Sequence, residues 1–321
     1  MLMIPTHART LRSLSAICLL LAAGGCASSS GRQVAFTKEA WTHGPLTGRK
    51  ITTEHYTIYS TLADPELEAV LPDYLEAFYD RYEAPFSTPP AEPIHLTTYV
   101  FGTRMEWERY TRENYGKRFA VYRRIRAGGF TEGGTSVSFF LFSRGGLLST
   151  LAHEGWHQYV GLRFPRNLPA WLNEGMACYH EAVDFAAKKP RFTPQHNTFR
   201  INSLREAVQR DELLPLTQIV RTDAGEVISR NHSTITQTYY AQAWALVTFL
   251  RHGAGGKYAG GFKRMTQDLS DGTFRTRVHA TALASGPGAS FGEAAFVHYF
   301  GASPEALAIE YHDHLVRVCG Y

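Results

Sequence analysis

The five residues from His153 to His157 read HEGWH, an HExxH pattern, and they constrain the fold of this 321-residue chain more than any other feature. Histidines four residues apart lie one turn apart on the same side of an α-helix, so their rings can bind one metal ion only if the segment is helical. Residues 147–162 carry a helix-compatible, amphipathic pattern around the motif. Pro165 and Pro169 follow and are predicted to end that helix.

A second helix is predicted to begin near Ala170, so that the chain doubles back on itself. This helix carries Glu174, 17 positions after His157, and its return can bring the carboxylate to both histidines. A catalytic zinc ion takes three protein ligands and keeps a fourth position open. The pattern therefore predicts a Zn²⁺ site formed by His153, His157 and Glu174. The alternative is a helix whose histidines face solvent, or a site that has lost its metal.

Glu154 follows the first histidine directly. A carboxylate at this place can take a proton from a zinc-bound water and later pass it to a leaving group. Glu154 is therefore the candidate general base.

The stretch from His153 to Glu181, HEGWHQYVGLRFPRNLPAWLNEGMACYHE, resembles the gluzincin clan of zinc peptidases. Within this clan it is most similar to the aminopeptidase-like branch, where HExxHQ is followed by WLNEG. It also resembles a bacterial family of predicted, mostly uncharacterised lipoprotein peptidases with the same core. The resemblance implies that His153, His157 and Glu174 bind zinc and that Glu154 acts as the base.

A further helix of that branch opens with a tyrosine that donates a hydrogen bond to the tetrahedral oxyanion. Residues 239–250, YYAQAWALVTFL, are similar to it, and the matching tyrosine is Tyr240. A phenol aimed at the developing charge stabilises the transition state more than the ground state. Tyr240 could instead belong to the apolar core of its helix. Tyr239 and then His232 are the other candidates for this role.

Two features depart from the resemblance. The aminopeptidase motif that binds a free amino terminus is absent, and its nearest equivalent, residues 127–134, has one acid, Glu132, which either does part of that work or is solvated. Four residues after Glu174, where some gluzincins carry an acid that orients a ligand histidine, this chain has Cys178. Another group must then orient the ligand histidine, and the candidates are Glu181 and a backbone carbonyl.

Residues 1–25 have the pattern of a secretory signal, with basic residues ahead of a short apolar run. The run ends at Cys26 in a sequence that resembles a bacterial lipobox, which implies a lipid-anchored protein of the cell envelope. Ala27 resembles the sorting residue of outer-membrane lipoproteins, which matters only if the cell has an outer membrane. The alternative is an ordinary signal with an unmodified Cys26. Residues 26–45 are predicted to form a flexible tether.

The remaining chain predicts an α+β fold that forms one catalytic unit. Residues 46–145 are expected to hold a mixed sheet with helices, and residues 146–321 a mainly helical lobe with a zincin-like helix at the cleft. Residues 119–125 and 136–142 are expected to pair as strands. By the resemblance, residues 134–140 would line the cleft and bind an extended substrate by strand addition, unless they form an ordinary hairpin strand.

Charge and cysteine content add weaker indications. The net charge is +4, and the most basic stretch, residues 117–126, either contacts an anionic lipid or cell-wall polymer or is simply solvated. No nucleic-acid-binding motif or broad basic stripe is present, so a nucleic-acid partner is not expected. Cys178 and Cys319 could form a disulfide, although Cys178 also suits a buried thiol. We expect a monomer.

Three functions are compatible with these features. The first is an envelope-anchored zinc peptidase that acts on peptides or proteins. The second is a non-catalytic lipoprotein that keeps the fold as a binding module. The third is a zinc amidase that acts on cell-wall peptides.

Overall fold

The computed structural model describes residues 34–126, 128–165, 168–184, 190–222, 233–286 and 288–321. Its main sheet has six strands: β1 (Thr37–His43), β2 (Leu46–Thr52), β3 (Tyr56–Ser60), β4 (Leu96–Phe101), β5 (Gly129–Glu132) and β6 (Thr135–Phe139). The spatial order is β1-β2-β3-β4-β6-β5. β4 pairs parallel with β3 and with β6, and the other neighbours are antiparallel, so the sheet is mixed.

Helices cover both faces of this sheet because its central strands alternate apolar residues between the faces. Three helices belong to this part of the chain: α1 (Pro65–Glu83), α2 (Arg104–Tyr115) and the short α3 (Phe119–Tyr122). In β4, Leu96 and Val100 join the large core that includes α1, whereas Phe101 packs with Trp107 of α2 in a smaller second core. Asp64 caps the start of α1, and Thr103 forms a capping box at the start of α2.

The second half of the described chain is mainly helical. Its helices are α4 (Arg144–Arg163), α5 (Ala170–His180), α6 (Thr198–Gln209), α7 (Leu216–Arg221), α8 (Ser233–His252), α9 (Ala259–Ser270), α10 (Phe274–Ala284), α11 (Phe291–Phe300) and α12 (Pro304–Cys319). Two short strands, β7 (Val183–Asp184) and β8 (Arg191–Phe192), pair separately. The predicted α+β layout, a mixed sheet with helices followed by a helical region, is confirmed, and residues 34–321 form one compact unit.

Part of the stretch predicted as a tether, residues 26–45, forms a strand, β1. β1 pairs with β2 along its whole length, from Thr37 opposite Thr52 to His43 opposite Leu46. Gly44, with φ of +55°, makes the tight turn between the two strands. Backbone pairing holds this strand although its side chains are mostly exposed, which is why its sequence resembles a spacer. The predicted signal and Cys26 lie outside the described residues.

The expected pairing of residues 119–125 with residues 136–142 is wrong. Phe119–Tyr122 forms α3, and the partner of β6 is β5. Gly133 and Gly134 have φ of +58° and +79°, which suits a two-residue turn between adjacent antiparallel strands. That turn pairs the residues immediately before it, so the more distant apolar segment is left to fold as a helix.

This pairing also changes which strand has a free side. β6 has β4 on one side and β5 on the other, so residues 134–140 cannot accept an added strand. Within the sheet as described, β5 is the edge strand next to β6. Cys178 and Cys319 are both buried and not joined in a disulfide. Among the described helices, none combines the length and apolar character required to cross a membrane.

Candidate metal centre

α4 and α5 bring the three predicted ligands together. The Nε2 atoms of His153 and His157 lie 3.1 Å apart. Oε2 of Glu174 lies 3.5 Å from Nε2 of His153 and 3.3 Å from Nε2 of His157. As predicted, α4 ends at Arg163 before the prolines, and α5 begins at Ala170, so the return of the chain places all three donors around one point.

These separations fit a tetrahedral metal site. Bonds of about 2.0–2.1 Å at tetrahedral angles separate neighbouring ligand atoms by about 3.3–3.4 Å. The three measured separations bracket this value. Oε2 of Glu174 is also buried without a hydrogen-bond partner, which is costly unless a cation completes the site. His153 could also join Cys178 and Glu181 in a second donor set, so two clusters in the described chain share one histidine.

The charges of Glu174 and of the two histidines shift the pKa values of these groups. Burial disfavours the charged form of Glu174, but His157 and His153 outweigh this and lower the pKa of its carboxyl well below the usual value. Burial also opposes the charged form of His157, yet Glu174 raises the pKa of His157 overall. The pocket is therefore electrostatically arranged to hold positive charge beside Glu174.

Gly155, inside the HExxH pattern, and Gln158, directly after it, fix the position of α4. A side chain at position 155 would meet the hydroxyl of Tyr82 at 2.5 Å, so only glycine allows α1 to approach this closely. The same hydroxyl donates a hydrogen bond of 2.8 Å to the carbonyl of Ala152. Gln158 is buried and donates to the carbonyl oxygens of Thr97 and Gly134, at 2.6 and 2.9 Å. These contacts attach α4 to α1 and to the sheet.

Gly175 has the equivalent role in α5. A Cβ atom at this position would lie 2.5 Å from the carbonyl oxygen of Ala243 and 2.6 Å from Val247, both in α8. Glycine therefore allows α5 and α8 to pack closely, with Glu174 beside the contact. This packing brings Tyr240, in the first half of α8, towards the candidate metal centre.

His153 is oriented by a buried group of charged and polar residues. Its Nδ1 atom lies 2.8 Å from Oε1 of Glu181. Glu181 accepts two hydrogen bonds from the Arg200 guanidinium, at 2.9 and 2.5 Å, and one from the amide of Asn197 at 3.0 Å. Burial opposes ionisation, but Arg200 and His153 lower the pKa of Glu181 to about 2. A fixed carboxylate on Nδ1 leaves Nε2 of His153 free to bind a metal.

His157 has a neutral partner. Oδ1 of Asn173 lies 3.1 Å from Nδ1 of His157 and accepts a hydrogen bond of 3.1 Å from the indole of Trp156. Asn173 directly precedes Glu174, so one turn of α5 provides both a predicted ligand and the residue that orients another. The two histidines thus use Nδ1 for orientation and direct Nε2 to the same point.

Glu154 lies at the edge of the sheet. The Thr131 hydroxyl is 2.7 Å from Oε2 of Glu154 and 3.0 Å from the Glu154 carbonyl oxygen. Thr131 belongs to β5, so the candidate base adjoins the edge strand. Adjacent residues of a strand point to opposite faces, which directs Glu132 away from Glu154. Glu132 instead bonds to Tyr122 and pairs with Arg118, so it does not reach the cleft to bind an amino terminus.

Tyr240, the predicted oxyanion residue, lies close to one of the predicted ligands. Its ring centroid is 6.0 Å from that of His153, and the Arg200 guanidinium lies over the Tyr240 ring, 5.5 Å from its centroid. Burial first, and the charge of Glu174 second, raise the pKa of Tyr240 well above its usual value. Tyr239 is fully buried in the core, which makes it less suited to meet a substrate. His232 lies outside the described residues.

Several residues of the site were missed in the sequence. Asn173 and Thr131 have no distinguishing pattern, although Asn173 occupies a fixed place beside Glu174. Arg200 is a buried arginine on α6, and nothing in the spacing of the motif connects it with Glu181. The position of Glu181 within one turn of the end of α5 was the available signal for the partner of His153.

A family described as "Protein of unknown function (DUF1570)" matches residues 147–266 of the chain. The matched part begins in the first turn of α4 and ends within α9. It therefore contains the three predicted ligands, Glu154 and Tyr240. No curated protein matches the chain.

Proposed function

We propose that this protein is a zinc-dependent peptidase of the gluzincin type. The observation that carries the proposal is the convergence of two Nε2 atoms and one carboxylate oxygen at 3.1–3.5 Å. The charge of Glu154 also acts on His157 and contributes to its raised pKa. His153, His157 and Glu174 would hold the metal. Bound zinc would polarise the scissile carbonyl and lower the pKa of the attacking water.

The protein's own groups supply the remaining steps. Glu154 takes a proton from the attacking water and transfers it to the leaving amine. Thr131 donates to Oε2 of Glu154 and so fixes the direction of the carboxylate. Tyr240 donates a hydrogen bond from its phenol to the oxyanion of the tetrahedral intermediate, and its raised pKa keeps the hydroxyl protonated for this role.

The substrate is proposed to bind in an extended form along the free edge of β5. This replaces the expected role of β6, which has no free side. Backbone groups on the open side of β5 can pair with a peptide backbone, as in other cases of strand addition. Thr131 lies within this edge strand and contacts Glu154, which supports a binding mode with the scissile bond close to Glu154.

We also propose that the protein is exported and anchored in the cell envelope by a lipid on Cys26. Support comes from the signal-like residues 1–25 and the lipobox-like sequence before Cys26. Several acyl chains on one cysteine would anchor the protein firmly.

The Glu154→Gln variant tests the activity, since it removes the base and keeps the ligands. Metal analysis should find about one zinc per chain in both the parent and this variant, and none after His157→Ala or Glu174→Ala. Hydrolysis of an unstructured protein should be lost in Glu154→Gln and retained in Glu212→Gln, an exposed glutamate in the loop after α6. A parent without zinc, or a Glu154→Gln variant as active as the parent, would contradict the proposal.

The alternatives give different outcomes in the same assays. Zinc that raises the melting temperature, with no cleavage of proteins or of cell-wall fragments, indicates a binding module. Zinc- and Glu154-dependent cleavage restricted to peptidoglycan fragments indicates the amidase. Comparison of protein termini between parent and Glu154→Gln cells identifies the substrates of a peptidase directly.

A further inference from the structure

The positive charge of this protein is concentrated in one short segment. Residues 104–126 contain eight lysines and arginines against three glutamates, and the rest of the chain has 25 basic and 26 acidic residues. This segment, which spans α2, α3 and the residues between and after them, therefore carries a charge of +5, and the rest of the chain carries −1. We call residues 123–126, Arg-Arg-Ile-Arg, the arginine loop.

The arginine loop is held in place by Arg104 of α2. The Arg104 guanidinium donates to the carbonyl oxygens of Arg123, Ile125 and Arg126, at 2.8, 2.7 and 3.4 Å. Its Nε atom donates to Glu108 at 2.8 Å, which fixes the guanidinium itself. The loop backbone thus wraps around the partly buried guanidinium of Arg104, so its arrangement does not depend on a ligand.

The helix before the loop is also fixed. The ring of Tyr122 stacks on that of Phe130 in β5, with centroids 3.7 Å apart. Tyr122 and Arg118 both bind Glu132 of the same strand. α3 and the arginine loop are therefore attached to side chains of β5 at one end and to α2 at the other.

The side chains of the loop remain available. Arg123, Arg124 and Arg126 are exposed, and none forms an ion pair with an acid in the described part of the chain. Together with Arg104 they line one open recess that contains no acidic residue. Such a group of guanidinium forks suits phosphate oxygens, which accept paired hydrogen bonds from arginine.

Exposed apolar residues lie next to these arginines in sequence. Met105, beside Arg104, is 73% exposed, and Val121, two residues before Arg123, is 57% exposed. Basic side chains combined with solvent-exposed apolar ones are typical of surfaces that lie on anionic membranes, where the charges meet headgroups and the apolar groups enter the interface. An acidic polypeptide would require the charges but not the exposed methionine and valine.

We infer that the arginine loop, with Met105 and Val121, is a docking surface for anionic phospholipid headgroups. It binds their phosphates through Arg123, Arg124 and Arg126. This surface is separate from the proposed metal site and does not depend on zinc. It would orient the protein on a membrane independently of any lipid on Cys26.

The test uses the full chain with Cys26→Ser, so that no acyl chain contributes. Sedimentation is measured with phosphatidylcholine vesicles and with vesicles in which about a third of the lipid is phosphatidylglycerol. We expect binding to the anionic vesicles alone, weakening as salt rises. Replacing Arg123, Arg124 and Arg126 by Gln should weaken it by about 100-fold, the usual effect of three basic residues at such a surface. Met105→Ser with Val121→Ser should weaken it with the salt dependence unchanged.

The control replaces Arg210, Lys263 and Arg317 by Gln, which removes the same charge from exposed positions elsewhere. Circular dichroism checks that both triple variants are folded. Equal binding by the two triple variants, or equal binding to neutral and anionic vesicles, would overturn the inference. So would arginine-loop-dependent binding of poly-glutamate without binding to vesicles, which identifies a site for acidic polypeptides. Competition by millimolar inorganic phosphate alone, with no vesicle binding, would also overturn it.

Discussion

The Nδ1 atom of His153 lies 2.8 Å from Oε1 of Glu181, and this contact connects the candidate metal centre to Arg200 and Asn197. Glu181 lies seven positions after Glu174, beyond the end of α5. Glu181 provides the carboxylate that orients His153. An acid at position 178 could have done this, but the chain has a cysteine there. The buried pair that it forms with Arg200 keeps its carboxylate charged and directed at the histidine ring.

Removal of the charge on Glu181 should weaken metal binding. Glu181→Gln keeps the size of the side chain but loses the carboxylate, and changes of this kind next to a ligand histidine lower metal affinity about 10–100-fold. Competition with a chelator measures the zinc affinity. Glu206→Gln, an exposed glutamate of α6, is the matched control and should bind zinc like the parent. Equal affinity in both variants would mean that Glu181 does not position His153.

Arg200 should matter for stability more than for chemistry. Arg200→Met leaves the Glu181 carboxylate buried without its main partner, and breaking a buried ion pair from one side costs about 3–5 kcal/mol. Denaturant unfolding of the metal-free protein measures the loss. The double variant Arg200→Met with Glu181→Leu removes both charges and should recover much of the stability. A single variant as stable as the parent would contradict this account.

Gly175 should not tolerate a methyl group. Alanine at this position meets the backbone of α8 at 2.5 Å, and overpacking of this kind costs about 1–3 kcal/mol. Gly161→Ala is the matched control, because it lies in α4 with no atom within 4 Å of the added carbon. There alanine should stabilise the helix by about 0.5–1 kcal/mol. Unfolding midpoints that shift in the same direction for both variants would contradict the close α5–α8 contact.

Residues 144–180 illustrate what the sequence could predict. The two helices followed from apolar periodicity and from Pro165 and Pro169, because local sequence determines both. The convergence of His153, His157 and Glu174 followed because their spacing has a chemical reason. The partner of β6 could not be predicted in the same way. Residues 119–125 alternate like a strand, but the two-glycine turn at Gly133 and Gly134 pairs β6 with β5 instead.

The contacts of Arg200 and Thr131 were beyond such reasoning for a different cause. Each reaches the site from another element, 19 residues after Glu181 in one case and 23 residues before Glu154 in the other. Neither residue has a local pattern that depends on its partner. Such contacts depend on how the helices and strands pack, and the periodicity of the sequence does not predict this packing.

His314 in α12 should make stability depend on pH. Burial, and then Arg317, lower the pKa of His314 from 6.5 to about 4 in the folded protein. The unfolded chain therefore binds more protons between these values, so the stabilising contribution is complete above about pH 6.5 and is lost as the pH falls towards 4. Melting temperatures across this range should fall less steeply for His314→Gln than for the parent. His312→Gln, an exposed neighbour on the same helix, should follow the parent, and equal slopes for all three proteins would exclude the effect.

A variant of Tyr240 can distinguish a catalytic role of this residue from a packing role. Tyr240→Phe removes the hydroxyl and keeps the ring against His153, so packing and metal content should stay unchanged. If the phenol donates to the oxyanion, kcat should fall about 100- to 1,000-fold, the usual cost of losing one such donor. The assay uses a peptide whose cleavage depends on Glu154. Tyr258→Phe, which loses a hydroxyl bonded to Glu310 instead, should keep the parent's rate. Full activity in Tyr240→Phe would assign the residue to the core, because a lost transition-state hydrogen bond must appear in kcat.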